Sequence, residues 1–224
     1  AFIGKGNGLL QAANENLDKA INTNVTGFAN LLSKLKNKNS KIIWSSSAVV
    51  FGNETIYKDG VVNENASLQP FTNYGITKLM AEEVANYYIR KYKMNITGIR
   101  FPIIIGPGLG YRGVAAGISD MAYLSKDKKK CIIYMPSSDL DIIYIKDAAD
   151  IILKIINSKT KLKNIYNCPS IRTNAKILAN KFNKIYKKKY IEIKSTAEAP
   201  NYPIMDSNLF EIDPRTFPPL FSAI

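Results

Sequence analysis

The residue types best suited to chemistry in this sequence are a serine run, a tyrosine and a lysine. Ser45, Ser46 and Ser47 follow a short apolar run, and Tyr74 and Lys78 lie four residues apart further along the chain. Side chains four residues apart share one face of a helix, so this tyrosine and lysine would be neighbours. A lysine ammonium favours the phenolate and lowers the pKa of the tyrosine, and the positive end of a helix acts in the same direction.

Together these groups indicate oxidation and reduction at an alcohol or ketone. The tyrosine would exchange a proton with the substrate oxygen, a serine hydroxyl would hold that oxygen, and the hydride would pass to a nicotinamide. Each piece alone is weak, because Tyr-x-x-x-Lys arises easily by chance in a chain with 13 tyrosines, and serine runs are common in turns. The order of strand end, loop and helix favours the catalytic interpretation.

The composition excludes several other kinds of site. The 224 residues contain no histidine, which excludes a Ser-His-Asp triad and His-ligated metal sites, and no metal is expected. Cys131 and Cys168 are too few for a zinc cluster or a disulfide scaffold, and they indicate a reducing compartment. No apolar run reaches the roughly 18 residues of a membrane span. With no visible signal peptide, a cytoplasmic protein without membrane partners is expected.

The strong positive charge has two interpretations. Lys and Arg number 31 against 18 Asp and Glu, which gives a formal net charge of +13. The favoured interpretation is a lysine-rich bias spread over solvated surface, and the other is a field that attracts anionic ligands such as nucleotides. The densest basic runs, 126–130 and 187–189, have no interleaved aromatic residues, so no nucleic-acid partner is expected.

The elements expected to carry these residues alternate between helices and buried strands. The polar stretch 46–73 is expected to be a functional loop, because long loops within compact domains usually are. The chain after Pro200 is expected to be extended and rich in turns. This alternation of helices with continuous apolar strands predicts an α/β fold, in which a parallel sheet is covered on both faces. The predicted helices are 12–36, 73–92, 114–124, 146–156 and 174–186, and the predicted strands are 41–45, 95–105, 131–135, 141–145 and 164–168.

Six segments in chain order carry a resemblance to a known family: NVTGFANLL (24–32), IIWSSSAVVFG (42–52), YGITKLMAE (74–82), RFPIIIGPG (100–108), DIIYIKD (141–147) and NIYNCPS (164–170). In this combination the chain resembles an extended short-chain dehydrogenase/reductase of the NAD-dependent epimerase/dehydratase family. The resemblance implies that residues 1–105 are the C-terminal part of a Rossmann-like parallel sheet. Residues 106–224 would form a smaller α/β substrate-binding region, and whether 141–186 pack back on the sheet is left open.

The resemblance also implies roles for individual residues. Tyr74 would be the catalytic acid/base, Lys78 would bind the nicotinamide ribose and tune Tyr74, and Ser47 would contact the reacting oxygen. A small-molecule substrate is expected, together with a homodimer built on the helices around 24–35 and 72–90. The residues expected beside the cofactor, NAD or NADP, are Ala1, Phe2, Ile3, Asn24, Tyr74, Lys78 and Pro102.

One departure from the family concerns the cofactor. The family's glycine-rich phosphate loop is not found, and the glycines of segment 4–8 (GKGNG) have no strand before them, so they are interpreted as a loop. Two explanations stay open: the sequence is a fragment, or the upstream units are absent. The choice between NAD and NADP also stays open, because the residue that decides it would lie upstream.

A second departure concerns the substrate. Leu140 stands where many nucleotide-sugar enzymes of the family have an arginine that meets the diphosphate, and Ile103 replaces an asparagine used by several sugar epimerases. Ile103 and Arg112 are therefore the expected substrate residues, with Arg112 or Arg172 as the source of positive charge. Small hydroxy or keto substrates rank level with nucleotide sugars, for an epimerase, dehydratase or reductase reaction. The alternative is a catalytically silent binding or scaffold subunit.

Overall fold

The structure is a computed structural model, and it describes residues 8–106, 116–121, 130–187, 190–196 and 201–211. Among the expected site residues, Ala1, Phe2, Ile3 and Arg112 lie outside the described residues, as does most of segment 4–8. None of the helices in these ranges combines the length and the apolar character that crossing a bilayer requires.

The described chain alternates between helices and short strands. Helices α1 to α7 are Leu9–Glu15, Leu17–Ile21, Gly27–Leu35, Asn73–Tyr92, residues 116–121, Ile145–Asn157 and Ala175–Ile185. Strands β1 to β10 are Lys41–Ser47, Val61–Val62, Asn95–Phe101, Ile103–Ile105, Cys131–Met135, Leu140–Tyr144, Ile165–Asn167, Ile171–Thr173, Ile191–Ser195 and Ile204–Met205. A π-helical turn, Asn22–Thr26, joins α2 to α3, and short 3₁₀ turns occupy Ala48–Val50, Glu54–Ile56, Lys58–Gly60 and Asn208–Glu211.

A parallel sheet of β1, β3 and β7, with β3 in the middle, lies at the centre of the site-bearing part. β1 and β3 pair from Lys41 opposite Asn95 to Ser47 opposite Phe101, so both strands end at the same edge. On one face, Ile151 of α6 packs with the strand residues. The prediction of a parallel sheet from continuous apolar strands is confirmed.

Helix α4 matches its predicted bounds, 73–92. Its first turn is capped by Thr72, whose hydroxyl oxygen accepts a hydrogen bond from Gly75 N at 3.0 Å. The helix runs from Asn73 to Tyr92 and ends at Lys93, which adopts a left-handed conformation with φ 55°. The cap places the first turn of α4 directly after the long loop that follows Ser47.

The prediction of one continuous helix over 12–36 is wrong. The chain breaks at Asn16, whose φ is −151° and whose side chain accepts a hydrogen bond from Lys19 N. Asparagine competes for backbone donors in this way, which ends α1 and caps α2. After Ile21 the helix widens into the π turn before α3 begins at Gly27.

The prediction of one strand over 95–105 is also wrong. Pro102 interrupts it, because proline has no N–H to donate to a strand ladder. The strand before Pro102, β3, stays in the central sheet, whereas β4 pairs in parallel with β6, which in turn pairs antiparallel with β8. The chain therefore passes from one sheet to another at a single residue.

The region after Pro102 has a core of its own. Met121, Met135, Ile142 and Leu178 are buried together there, between β5, β6 and α7. The strands β8 and β9 were not predicted from the sequence, and β9 pairs in parallel with β5. The segment Ile165–Asn167 returns to the central sheet as β7.

The C-terminal segment 201–209 fastens the long loop between β1 and α4. The N–H of Glu54 donates to the carbonyl of Asn201 at 2.9 Å, and the rings of Phe71 and Tyr202 stack with centroids 5.1 Å apart. β10 pairs in parallel with β2 of the loop, and Leu209 is fully buried. The described part of the predicted turn-rich tail, 201–211, thus packs on this loop, and the remainder of that prediction lies outside the described residues.

A substitution at Gly75 tests how closely α4 approaches this loop. An added Cβ would overlap the Val49 carbonyl oxygen and lie 2.9 Å from Pro70 Cβ. We expect Gly75→Ala to lower the free energy of unfolding by about 2 kcal/mol, because backbone must shift to make room. Urea denaturation of the variant measures this.

The matched control is Gly27→Ala, because a Cβ at this helical position meets only the Asn22 carbonyl oxygen at 3.5 Å. This change should leave stability unaltered or raise it by up to about 1 kcal/mol. Equal effects of the two substitutions would contradict the close approach at Gly75.

Candidate active site

Tyr74 and Lys78 are both buried on the face of α4 that covers β1. Each side chain is only 6% exposed, although both are polar. The Lys78 ammonium lies 5.6 Å from the centre of the Tyr74 ring. The four-residue spacing seen in the sequence thus brings the cation beside the phenol.

The Lys78 ammonium is fixed to the backbone of β1. Its Nζ donates a hydrogen bond to the carbonyl oxygen of Ser45 at 2.8 Å and lies 6.0 Å from the ring of Trp44. Burial lowers the pKa of Lys78 from its ordinary 10.5 to about 8, and the negative charge of Glu82 opposes that change. The Lys78 side chain therefore loses its proton at a pH closer to neutrality than an ordinary lysine does.

Ser47 lies at the end of β1, beside the first turn of α4. Its hydroxyl oxygen accepts a weak hydrogen bond from Val49 N at 3.5 Å, at the start of a 3₁₀ turn. Val49 in turn packs in the same cluster as Tyr74, and its carbonyl oxygen borders Gly75. Tyr74 and Lys78 are thus neighbours on α4, and Ser47 is linked to them through Val49 and through Ser45 on the same strand.

Asn24 is joined to α4 through Thr77. It lies buried in the π turn, and its Nδ2 donates to Thr77 Oγ1 at 3.0 Å. The Thr77 hydroxyl donates to the Tyr74 carbonyl at 2.8 Å. Single π turns are frequent at functional sites, and no pattern in the sequence indicated one here.

Pro102 and Ile103 lie at the edge of the sheet where Ser47 is found. Pro102 follows Phe101, the register partner of Ser47. The side chain of Ile103 packs on the apolar core of the second region, and Leu140 belongs to that core and is only 7% exposed. Leu140 therefore faces the core.

Sequence reasoning missed the residues that hold Lys78 and its strand in place. Ser46 Oγ donates to Glu82 Oε1 at 2.6 Å. Arg100 Nε and Nη2 donate to the two carboxylate oxygens of Glu82 at 2.9 and 2.8 Å. The signal that could have found Glu82 is the continuation of the four-residue spacing from Tyr74 through Lys78.

Arg172, one of the two arginines named as a source of positive charge, is held within the fold. Its guanidinium donates to Asp141 Oδ2 and Glu54 Oε2, both at 2.8 Å, and Nε lies 3.7 Å from Asp139 Oδ2. Nη1 also donates to the carbonyl of Tyr202 at 2.8 Å. Three carboxylates of the protein therefore already balance the charge of Arg172.

The donors at the site suit the ribose of a nicotinamide cofactor. An ammonium carries three protons, and the Ser45 carbonyl accepts one from Lys78. The Tyr74 ring lies 5.6 Å from the same ammonium, and its phenol is a further donor on this helix turn. Vicinal hydroxyl groups of a sugar accept hydrogen bonds from such donors, so Lys78 and Tyr74 are the residues that would hold it.

Comparison with known proteins finds a matching family model and relatives in sequence. The model of the NAD dependent epimerase/dehydratase family matches residues 4–168. A curated relative, UDP-glucuronate 4-epimerase 3 of Arabidopsis thaliana, is 35% identical over 113 residues. That match covers 50% of this chain and 24% of the relative, so the chain spans about a quarter of the relative's length.

Solved structures show the same fold. A monomeric L-threonine 3-dehydrogenase from a metagenome superposes with a TM-score of 0.82 and 22% identity, covering 96% of this chain and 71% of the other. A dTDP-glucose 4,6-dehydratase of Streptomyces venezuelae with NAD bound superposes with a TM-score of 0.73 and 15% identity. That match covers 96% of this chain and 66% of the dehydratase. The predicted α/β fold with a Rossmann-like parallel sheet is confirmed.

The depressed pKa of Lys78 predicts how stability depends on pH. In the folded chain Lys78 releases its proton near pH 8, whereas in the unfolded chain it does so near its ordinary 10.5. Between pH 8 and pH 10.5 the unfolded state therefore binds more protons than the folded state. Over that range the contribution of Lys78 to the free energy of unfolding rises with pH. Relative to Lys78→Met, the wild-type free energy of unfolding should rise by up to about 3 kcal/mol across that range.

Urea denaturation at a series of pH values measures this difference. The control is Lys146→Met, which removes an exposed lysine from α6 and should show no such slope. If the difference in free energy of unfolding between wild type and Lys78→Met does not change with pH, the lowered pKa of Lys78 is contradicted.

Proposed function

Because the chain belongs to the NAD-dependent epimerase/dehydratase family, we propose that it carries out NAD(P)-dependent epimerase, dehydratase or reductase chemistry. The reaction takes place at a hydroxyl or keto carbon of a nucleotide sugar or of a small hydroxy or keto substrate. The observation that carries the proposal is the buried Lys78 ammonium, 5.6 Å from the Tyr74 ring and bonded to the strand that ends at Ser47. A scaffold protein would have no use for a desolvated cation at this place.

In this proposal Tyr74 moves the proton. It accepts a proton from the substrate hydroxyl as the carbonyl forms, and it returns one in the reverse direction. The Lys78 ammonium stabilises the phenolate by charge and by its position one helical turn away. Ser47 donates a hydrogen bond to the same substrate oxygen. A bound nicotinamide would supply the hydride acceptor.

Two classes of substrate stay within the proposal. The similarity to UDP-glucuronate 4-epimerases of Arabidopsis thaliana supports a nucleotide sugar. The lack of a polar donor at positions 140 and 103 supports a smaller or less charged substrate, because both aliphatic side chains pack in the core and neither can bind a diphosphate. Arg172 is held by carboxylates, which leaves Arg112 as the proposed source of positive charge for a nucleotide sugar.

The test begins by finding a substrate for the full-length protein. Unfolding midpoints are measured with NAD or NADP and a panel of UDP-, GDP- and dTDP-sugars, small hydroxy acids and L-threonine. A ligand that binds the native state raises the midpoint by mass action. Compounds that do so are then assayed for NADH formation and, by NMR, for epimerised or dehydrated products.

With such a substrate, Tyr74→Phe should lower kcat by about a hundredfold or more, because the acid/base group is lost. The phenyl ring retains the packing of Tyr74 with Ala12, Ala13 and Ala20, so the unfolding midpoint should hardly change. The control is Tyr134→Phe, which alters a tyrosine that is 64% exposed on β5 and should retain full turnover. Wild-type rates in Tyr74→Phe would refute the proposed role.

We also propose that the protein is a homodimer joined through α4. Ile76, Met80 and Tyr87 are each exposed by 38–44% and share one face of the helix. An apolar stripe of this kind on the helix that bears the site suits a second copy of the same chain. One structural neighbour is described as monomeric, so the assembly has to be measured directly.

Sedimentation velocity should show a dimer that Met80→Glu converts to monomer, because the new carboxylate would be buried without a partner. Leu153→Glu is the control, since it introduces the same charge at a residue that is 54% exposed on α6. A monomeric wild type, or a dimer that survives Met80→Glu, would exclude this interface.

Two further proposals concern organisation and location. We place the boundary between the dinucleotide-binding part and the substrate-binding region near residue 105, because the chain changes sheets at Pro102. We place the protein in the cytoplasm, because Cys131 and Cys168 are both free thiols and thiols persist in reducing compartments.

A further inference from the structure

We propose that Glu82 is a positioning residue of the candidate site, which fixes α4 along β1 one helical turn from Lys78 and sets a negative charge beside the Lys78 ammonium. The role in catalysis rests on the proposed function, whereas the effect on Lys78 itself does not. Three observations carry the proposal: how Glu82 is held, where it lies relative to Lys78, and what surrounds Lys78.

Glu82 is held as a fixed anion. Each of its oxygens accepts from Arg100, at 2.9 Å from Nε and 2.8 Å from Nη2, and Oε1 also accepts from Ser46 Oγ at 2.6 Å. The side chains of Arg100 and Glu82 are only 3% and 6% exposed. A carboxylate that accepts from three donors, two of them from one guanidinium, has a single orientation.

Lys78 and Glu82 contact successive residues of the same strand. Lys78 donates to the carbonyl of Ser45, and Ser46 donates to Glu82. Arg100, the other partner of Glu82, is the residue of β3 that lies opposite Ser46 in the register. The two contacts on β1 therefore fix α4 along the strand, and the next residue of that strand is Ser47.

The negative charge of Glu82 opposes the effect of burial on the pKa of Lys78. Burial lowers the pKa of Lys78 to about 8, and Glu82 raises it. Within the part of the chain that the structure describes, Tyr74 and Glu82 of α4 and the uncharged Trp44 of β1 surround the ammonium, and Arg100 of β3 lies beyond Glu82. Without Glu82, desolvation would act unopposed and Lys78 would be largely neutral near pH 8.

A neutral lysine could not stabilise a phenolate at Tyr74. It would still donate a hydrogen bond, but the charge that lowers the pKa of a neighbouring phenol would be gone. Glu82 would thus act on the reaction through Lys78, without touching substrate or cofactor.

The test measures the pKa of Lys78 directly. The chain is labelled with carbon-13 at the lysine Cε atoms and titrated by NMR, and the Lys78 signal is identified by its loss in Lys78→Arg. We expect the wild-type side chain to titrate at about pH 8. In Glu82→Gln, which retains the shape and one acceptor oxygen, the midpoint should fall by about one pH unit or more.

The matched control is Glu83→Gln, the same substitution one residue later, on the exposed side of α4. It should leave the Lys78 midpoint within a few tenths of a pH unit of wild type, because exposed charges are screened. Glu82→Gln leaves Arg100 buried without its carboxylate, which is a destabilising arrangement. If that variant does not fold, the double variant Glu82→Met with Arg100→Met removes both charges and takes its place.

A lower Lys78 midpoint in the folded Glu82 variant, with no change in Glu83→Gln, supports the proposal. An unchanged or higher midpoint in whichever Glu82 variant folds overturns it. The titration needs neither cofactor nor substrate. Its result is therefore valid whether or not the ligand panel identifies a substrate. Where a substrate is found, the pH profile of kcat in Glu82→Gln should shift in the same direction as the Lys78 midpoint.

Discussion

The buried ion pair of Glu82 and Arg100 is the interaction on which the arrangement of helix, sheet and loop depends. Removing either partner alone would leave a buried charge, at a cost of about 3–5 kcal/mol. Arg100 also donates to the carbonyl of Glu64 at 3.2 Å, and its guanidinium lies 4.9 Å from the ring of Phe51. One side chain of β3 therefore joins α4, β1 and the long loop between them.

The polar contacts continue from Arg100 to the far end of the chain. The Glu64 carboxylate accepts from the backbone N–H of Asn167 at 3.0 Å and of Asn208 at 2.9 Å. The Asn167 side chain donates to the carbonyl of Asp206 at 2.9 Å. Buried polar groups that satisfy one another in this way specify a single arrangement, because any shift leaves donors and acceptors unpaired.

Much of the fold could be predicted because its signals are local. The bounds of α4 were predicted correctly, and the four-residue spacing of Tyr74 and Lys78 made them neighbours on that helix. What failed depends on contacts between distant residues or on small irregularities. Glu82 of α4 pairs with a residue of β3, Arg172 pairs with Glu54 118 residues away, and the π turn has no sequence signature. The short strands β8 and β9 carry too few residues to show a period.

The docking of segment 201–209 onto the loop has a consequence for the order of events during synthesis. β2 obtains its partner strand only when Ile204 and Met205 have left the ribosome, about 140 residues after Val62. Until then the loop between Ser47 and Tyr74 lacks the pairing that fixes it in the finished fold. Such late closure of distant segments is slow, because the entropy of a long chain must be lost before the contacts form. The nascent chain therefore carries an incomplete site until Ile204 and Met205 have emerged from the ribosome.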